Sequence, residues 1–303
     1  MKTKLFLQVN LSYFCQNRSY NYRSQTYWVF NSLFKRLNIN HNYAYYNFNK
    51  ISGVLLATLL LISLSSSAQE NKPDLKLKPD FYHLSYSNKK PYNVLNIYIA
   101  QNAKKNVSTP LYIWAHGNGG SADRLNKEMW NELSSAGISI ISWESVLNLA
   151  SDADRIEGEA DLEKVMEFVK TNASKYNFDL NKIVIGGHSR GTIMSWKFTQ
   201  QNNNLVKGIY FTGALGDPLL WKESDWEPRD LINQGSPQFI FAYKSTPGDG
   251  DVHNPKSGKL IKEKYEELGI GERARVEHSL GKRGLEQWCF LKEFILNVTR
   301  NSN

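Results

Sequence analysis

From about residue 81 onward, short apolar runs alternate with longer amphipathic stretches. Phe81-Tyr-His-Leu-Ser-Tyr86 and Asn93-Val-Leu-Asn-Ile-Tyr-Ile-Ala100 flank a Lys-Lys-Pro turn and predict an antiparallel pair of strands. His83 falls inside the first of them and is read as a strand residue without a chemical role. Pro110-Leu-Tyr-Ile-Trp-Ala115 and Gly137-Ile-Ser-Ile-Ile-Ser-Trp143 are continuous apolar runs, the pattern of strands buried on both faces. Further strands are expected at Ile183-Val-Ile-Gly-Gly187, Gly208–Thr212, Gln238–Tyr243 and Arg273–His278. Helical spacing is expected over 122–135, 256–268 and 284–297. Another helix is opened by Ser151-Asp-Ala-Asp154, which has the form of a capping box. Its apolar stripe, Leu162, Val165, Met166, Val169 and Ala173, recurs at the helical period. Strand and helix alternate throughout, so the predicted class is α/β: a mostly parallel central sheet, helices on both faces and an antiparallel N-terminal edge.

The first 68 residues read differently. Residues 1–49 are basic and rich in Asn and Tyr, without periodicity: a leader, or an over-long start. Residues 50–68 have the three parts of a secretory signal peptide: Lys50, an apolar run over Ile51–Leu64 and a small-residue tail ending at Ala68. Residues 69–303 then form the domain, secreted or periplasmic, with no stable membrane span after processing. The alternative is an anchor through residues 51–64, although that run is shorter than the roughly 20 residues a spanning helix needs. The 303-residue chain carries 37 Lys and Arg against 29 Asp and Glu. Seven of the basic residues and none of the acids lie in 1–68, leaving 30 against 29 beyond it. The excess charge belongs to the leader, which argues against a nucleic-acid partner. Cys15 and Cys289 divide the same way and offer no disulfide framework, and Cys289 reads as a small buried hydrophobe on a helix. No Cys/His metal spacing occurs, and neither a metal nor a cofactor is expected.

The chemistry gathers at Gly187-His-Ser-Arg-Gly191, a G-x-S-x-G pattern between an apolar run and a helix start. Such a turn lifts a serine hydroxyl above the sheet edge, and only glycine fits two residues to either side. Ser189 as nucleophile needs a base, an orienting acid and donors for an oxyanion. The amide of Arg190 is free at the helix start, and the loop His116-Gly-Asn-Gly-Gly120 offers Gly117 and Asn118 as further donors. The loop lacks the spacing of a phosphate cradle. For the acid, Asp251 is preferred and Asp249 is the alternative, in the loop that follows the strand ending at Tyr243. For the base, His278 at the end of the last strand is preferred, His253 is the runner-up, and a missing base stays open. Trp221 and Trp226, between the strands ending at 212 and beginning at 238, are candidates for a pocket wall.

Segment 110–296 resembles an α/β-hydrolase of the esterase, dienelactone hydrolase and lipase kind. The resemblance rests on the elbow, the His116-Gly-Asn-Gly-Gly120 loop and Gly248-Asp-Gly-Asp-Val-His-Asn-Pro255, which is similar to the family's acid loop. It implies a Ser-acid-His triad, an acyl-enzyme and a small-molecule or glycan-linked ester substrate. Members carry the base in a Gly-His pair after the last strand, where this chain has Gly281-Lys282. Two rivals remain: a serine peptidase on the same scaffold, and an inactive hydrolase fold used for binding.

Overall fold

In the computed structural model, residues 77–146, 148–216, 226–244, 252–278 and 285–300 are described. The leader, the signal segment 50–68 and its apolar run therefore lie outside the described residues. The chain divides into two units, Met1–Leu77 and Lys78–Asn303, and the architecture below is that of the second.

Eight strands make one sheet in the order β1-β2-β4-β3-β5-β6-β7-β8. They are β1 (Phe81–Ser85), β2 (Val94–Tyr98), β3 (Thr109–Ala115), β4 (Ser139–Trp143), β5 (Phe178–His188), β6 (Val206–Thr212), β7 (Gln238–Tyr243) and β8 (Ala274–His278). The pairs β1–β2 and β2–β4 are antiparallel, and every other pairing is parallel. The expected antiparallel edge is present. The continuous apolar strands occupy the middle of the sheet because both of their faces are covered: Leu111, Ile113, Ile140, Ile141, Ile183 and Ile185 are fully buried.

Among the described residues, five α-helices pack on the sheet: α1 (Lys127–Ser135), α2 (Asp152–Tyr176), α3 (Arg190–Gln201), α4 (Lys256–Glu267) and α5 (Leu285–Thr299). Helix α2 starts where the capping box predicts, with Ser151 Oγ accepting from the amide of Asp154 at 3.2 Å. Its stripe of Leu162, Val165, Met166, Val169 and Ala173 is buried. Helix α1 begins five residues later than expected, because Asn126 caps it by accepting from the amide of Met129. Strand β5 begins earlier than the expected start at Ile183: Asp179–Lys182 belongs to the strand, and Thr109 pairs with Phe178 across it. Cys289 is half-buried on α5, where a fully buried side chain was expected.

Helix α3 is fastened by its aromatic face. Trp196 packs against Phe211 and Phe241, and its indole N–H donates to the carbonyl of Pro228 at 2.8 Å. Phe241 in turn meets Phe239, which stands edge-on to Tyr265 of α4. Offset and edge-to-face aromatic pairs of this kind each add about 0.5–1.5 kcal/mol beyond the area they bury. The result is a rigid seat for the start of α3, where the serine sits. Among the described residues, no helix is long and apolar enough to cross a membrane.

Candidate active site

Ser189 joins β5 to α3 with φ 50° and ψ −118°, a left-handed conformation that a non-glycine residue adopts only when its surroundings enforce it. The enforcement is visible. The Ser189 amide donates to Thr212 O at 3.0 Å, and the Ser189 carbonyl accepts from Thr192 Oγ1 at 2.6 Å. Thr192 Oγ1 also accepts from the amide of Leu215, tying the elbow to the end of β6. The flanking glycines are required by contact. A Cβ on Gly187 would lie 2.9 Å from the backbone carbon of Gly191, and one on Gly191 would overlap the backbone of Ala115 in β3. The elbow thus turns in the only space that β3 and α3 leave it.

The hydroxyl of Ser189 meets His253, with Oγ 2.7 Å from Nε2. His253 lies in the connection from β7 to α4, half-buried, with its ring over Gly213. Gly213 has φ +56°, and a Cβ there would come within 3.0 Å of His253 Cδ2. The structure therefore brings the runner-up histidine to the serine. His278, the preferred base, is exposed at the end of β8, paired with Tyr243. That places it three strands from β5, roughly 14 Å at about 4.8 Å per strand. Asp249, Asp251 and the Gly281-Lys282 pair lie outside the described residues, as does Trp221.

Sequence reasoning gave no role to His188, which stands beside this pair. Its Nδ1 lies 3.0 Å from Thr212 Oγ1, and its ring centroid is 5.6 Å from that of His253. Burial, then the charges of His253 and Lys244, lower its pKa, so it is a neutral neighbour. Two histidines this close would repel if both were charged.

Opposite the serine runs the loop after β3. Gly117 packs closely enough that a Cβ would be 3.4 Å from Ser189 Cβ. Asn118 is fixed by its side chain, whose Oδ1 accepts from the amide of Leu149 at 3.0 Å. Arg190 opens α3, and its amide has no acceptor within the helix. Gly117 thus lies against Ser189, Asn118 follows it in the same loop, and Arg190 follows the serine at the start of α3. His116, buried to 2% exposure, holds the loop from behind: its Nδ1 is 2.8 Å from Gly117 O. Burial, with the charge of Arg190, lowers the His116 pKa to about 4. Trp226 is half-buried against the core with the Arg155 guanidinium over its ring, 5.5 Å from the centroid, an anchoring contact. Among the described residues, no group of three metal-ligating side chains forms. An imidazole at the serine hydroxyl is the arrangement a nucleophile and its base require.

The BD-FAE family model, that of an α/β-hydrolase-type esterase family, matches residues 95–212, a stretch that holds the loop after β3 and Ser189 but ends before His253. No curated protein matches. Among solved structures, a truncated carbohydrate esterase from gut microbiota is similar at 15% identity and a TM-score of 0.53, over 75% of this chain and 98% of that one. Esterase 2 of Thermogutta terrifontis, solved phosphonylated by sarin, is similar at 14% identity and a TM-score of 0.55, over 73% and 95%. Esterase B of Lactobacillus rhamnosis, solved with a tributyrin phosphonate inhibitor, reaches 13% and 0.55, over 82% and 96%. At such identities the likeness is one of fold. Taken with the family match across the elbow, it shows the α/β-hydrolase fold.

Proposed function

We propose that the protein is a serine hydrolase that cleaves carboxylic esters through an acyl-enzyme. The observation that carries this reading is the 2.7 Å contact between His253 Nε2 and Ser189 Oγ at a strained elbow. In the proposed cycle, His253 accepts the hydroxyl proton as Ser189 attacks the ester carbonyl, and then returns it to the departing alcohol. Asp251, with Asp249 as the alternative, orients the imidazole. The amides of Arg190 and of Gly117 or Asn118 hold the oxyanion, and water, activated by the same histidine, releases the acid. A histidine already within reach of the serine favours this reading over an inactive scaffold. Small-molecule or glycan-linked esters are the substrate class to assay first. Ser189→Ala should abolish both hydrolysis of short-chain nitrophenyl esters and labelling by a fluorophosphonate probe; unchanged hydrolysis in that variant overturns the proposal.

Export rests on residues 50–68 and is a separate proposal: the protein is secreted or periplasmic after cleavage behind Ala68. N-terminal sequencing of the exported protein should begin at Gln69. Recovery of an intact N-terminus in the membrane fraction would point instead to an anchor through 51–64.

A further inference from the structure

Two buried side chains beside the elbow have no part in the proposed cycle: those of Arg190 and His116. Arg190 is 1% exposed, and its Nε and Nη1 have no hydrogen-bond partner among the described residues. A cation held this deep without full pairing is costly, so its contacts matter. Nη2 lies 2.9 Å from Nδ1 and 3.2 Å from Nε2 of His116. These nitrogens flank one ring carbon, so an atom nearly equidistant from both sits over the face of the ring. The guanidinium therefore directs its Nη2 N–H at the imidazole. That arrangement suits a neutral ring only, and burial together with Arg190 keeps His116 neutral.

A neutral imidazole has one N–H. Gly117 O can only accept, so the hydrogen is on Nδ1, 2.8 Å away. The same oxygen accepts from the Gly120 amide at 3.1 Å. Two donors on one carbonyl fix the plane of the peptide between Gly117 and Asn118. Its trans geometry then turns the Asn118 N–H to the opposite side. Hydrogen bonds to the carbonyl also polarise the amide and make that N–H a stronger donor.

We propose that the Arg190 side chain is a positioning group for the oxyanion site: with its Nη2 N–H set against His116, it holds the ring that holds the Gly117–Asn118 peptide. Arg190 then serves both halves of that site, one through its own amide and the other through its side chain. The catalytic meaning of this strut rests on the serine-hydrolase reading above; its geometry does not.

The test compares Arg190→Met, Arg190→Lys and Ser189→Ala with the unaltered protein. It reads kcat and KM on nitrophenyl acetate, the melting temperature, and the His116 tautomer by 15N NMR. Because losing one oxyanion donor outright costs about 10²–10³ in turnover, misplacing one should lower kcat in Arg190→Met by roughly 10- to 100-fold. KM should stay within about twofold, and Arg190→Lys should recover part of the loss. In the unaltered protein at pH 7, His116 should be neutral with its hydrogen on Nδ1, and Arg190→Met should mix the tautomers. If Ser189→Ala is inactive while Arg190→Met keeps full kcat, the positioning role is wrong and the hydrolase reading stands. If Ser189→Ala stays active, the hydrolase reading falls, and the tautomer alone decides the strut. A hydrogen on Nε2 in the unaltered protein overturns the strut whatever the activities, and still decides the matter if Arg190→Met does not fold.

Discussion

His253 reaches Ser189 because the connection after β7 folds back over Gly213, where the absence of a side chain leaves room for an imidazole. This has a direct consequence for turnover. A positioned general base contributes about 10²–10⁴-fold, so His253→Ala should lower kcat by roughly 10³ in nitrophenyl ester hydrolysis. His278→Ala, on an exposed strand end, should stay within about twofold; the opposite result would return the base to His278. The sequence ranked these two the other way for an intelligible reason. His278 ends the last predicted strand, near the place where the family resemblance puts the base, and linear spacing cannot show that this strand is a sheet edge three strands from the elbow. The elbow was legible because its requirements are local, two glycines and a strand-to-helix step. The histidine that meets its serine was not, because that position depends on how one loop closes over another. His116 and Arg190 were in view as parts of motifs, yet a contact between residues 74 apart has no signature along the chain.

At the scale of elements, the strand–turn–helix unit of β5 and α3 was read correctly in type and order. Its internal constraint became visible only with β3 beside it. Gly191 faces the backbone of Ala115, the last residue before the loop that carries the proposed oxyanion donors. A methyl group there has no flexible neighbour to displace, so Gly191→Ala should destabilise the fold by about 1–3 kcal/mol or more through overpacking, and should also abolish activity. Gly213→Ala is the instructive contrast. Its φ of +56° costs a non-glycine residue roughly 1–2 kcal/mol, and the new methyl meets the edge of the His253 ring at 3.0 Å. It should therefore lower kcat by more than its small loss of melting temperature explains. Parallel thermal melts and nitrophenyl ester kinetics on the two variants separate these cases; equal activity loss per degree of destabilisation would remove Gly213 from the account of His253.

For the molecule as a whole, the acid side of the stability curve follows from the same buried loop. In the unfolded chain His116 has an ordinary pKa near 6.5, whereas in the fold burial and the Arg190 charge bring it down to about 4. Between these values the unfolded state binds more protons than the native state, so the free energy of unfolding rises with pH across that window and falls as the solution is acidified. The full stabilisation is present above about pH 6.5 and is lost progressively toward pH 4. His188 shifts in the same direction, and the carboxylates of Asp152 and Glu227, lowered by Arg155 and Arg229 respectively, add a further loss once the pH falls below their ordinary range. From His116 alone, acidifying from pH 7 to 4.5 should remove about 2 kcal/mol. Urea unfolding at stepped pH checks this, with His116→Asn as the control. The variant starts from a lower stability, but its free energy of unfolding should change less steeply between pH 4.5 and 6.5. An equal slope in the two proteins would show that His116 binds its proton as readily in the fold as outside it, and would remove the neutral ring at which the Arg190 N–H is directed.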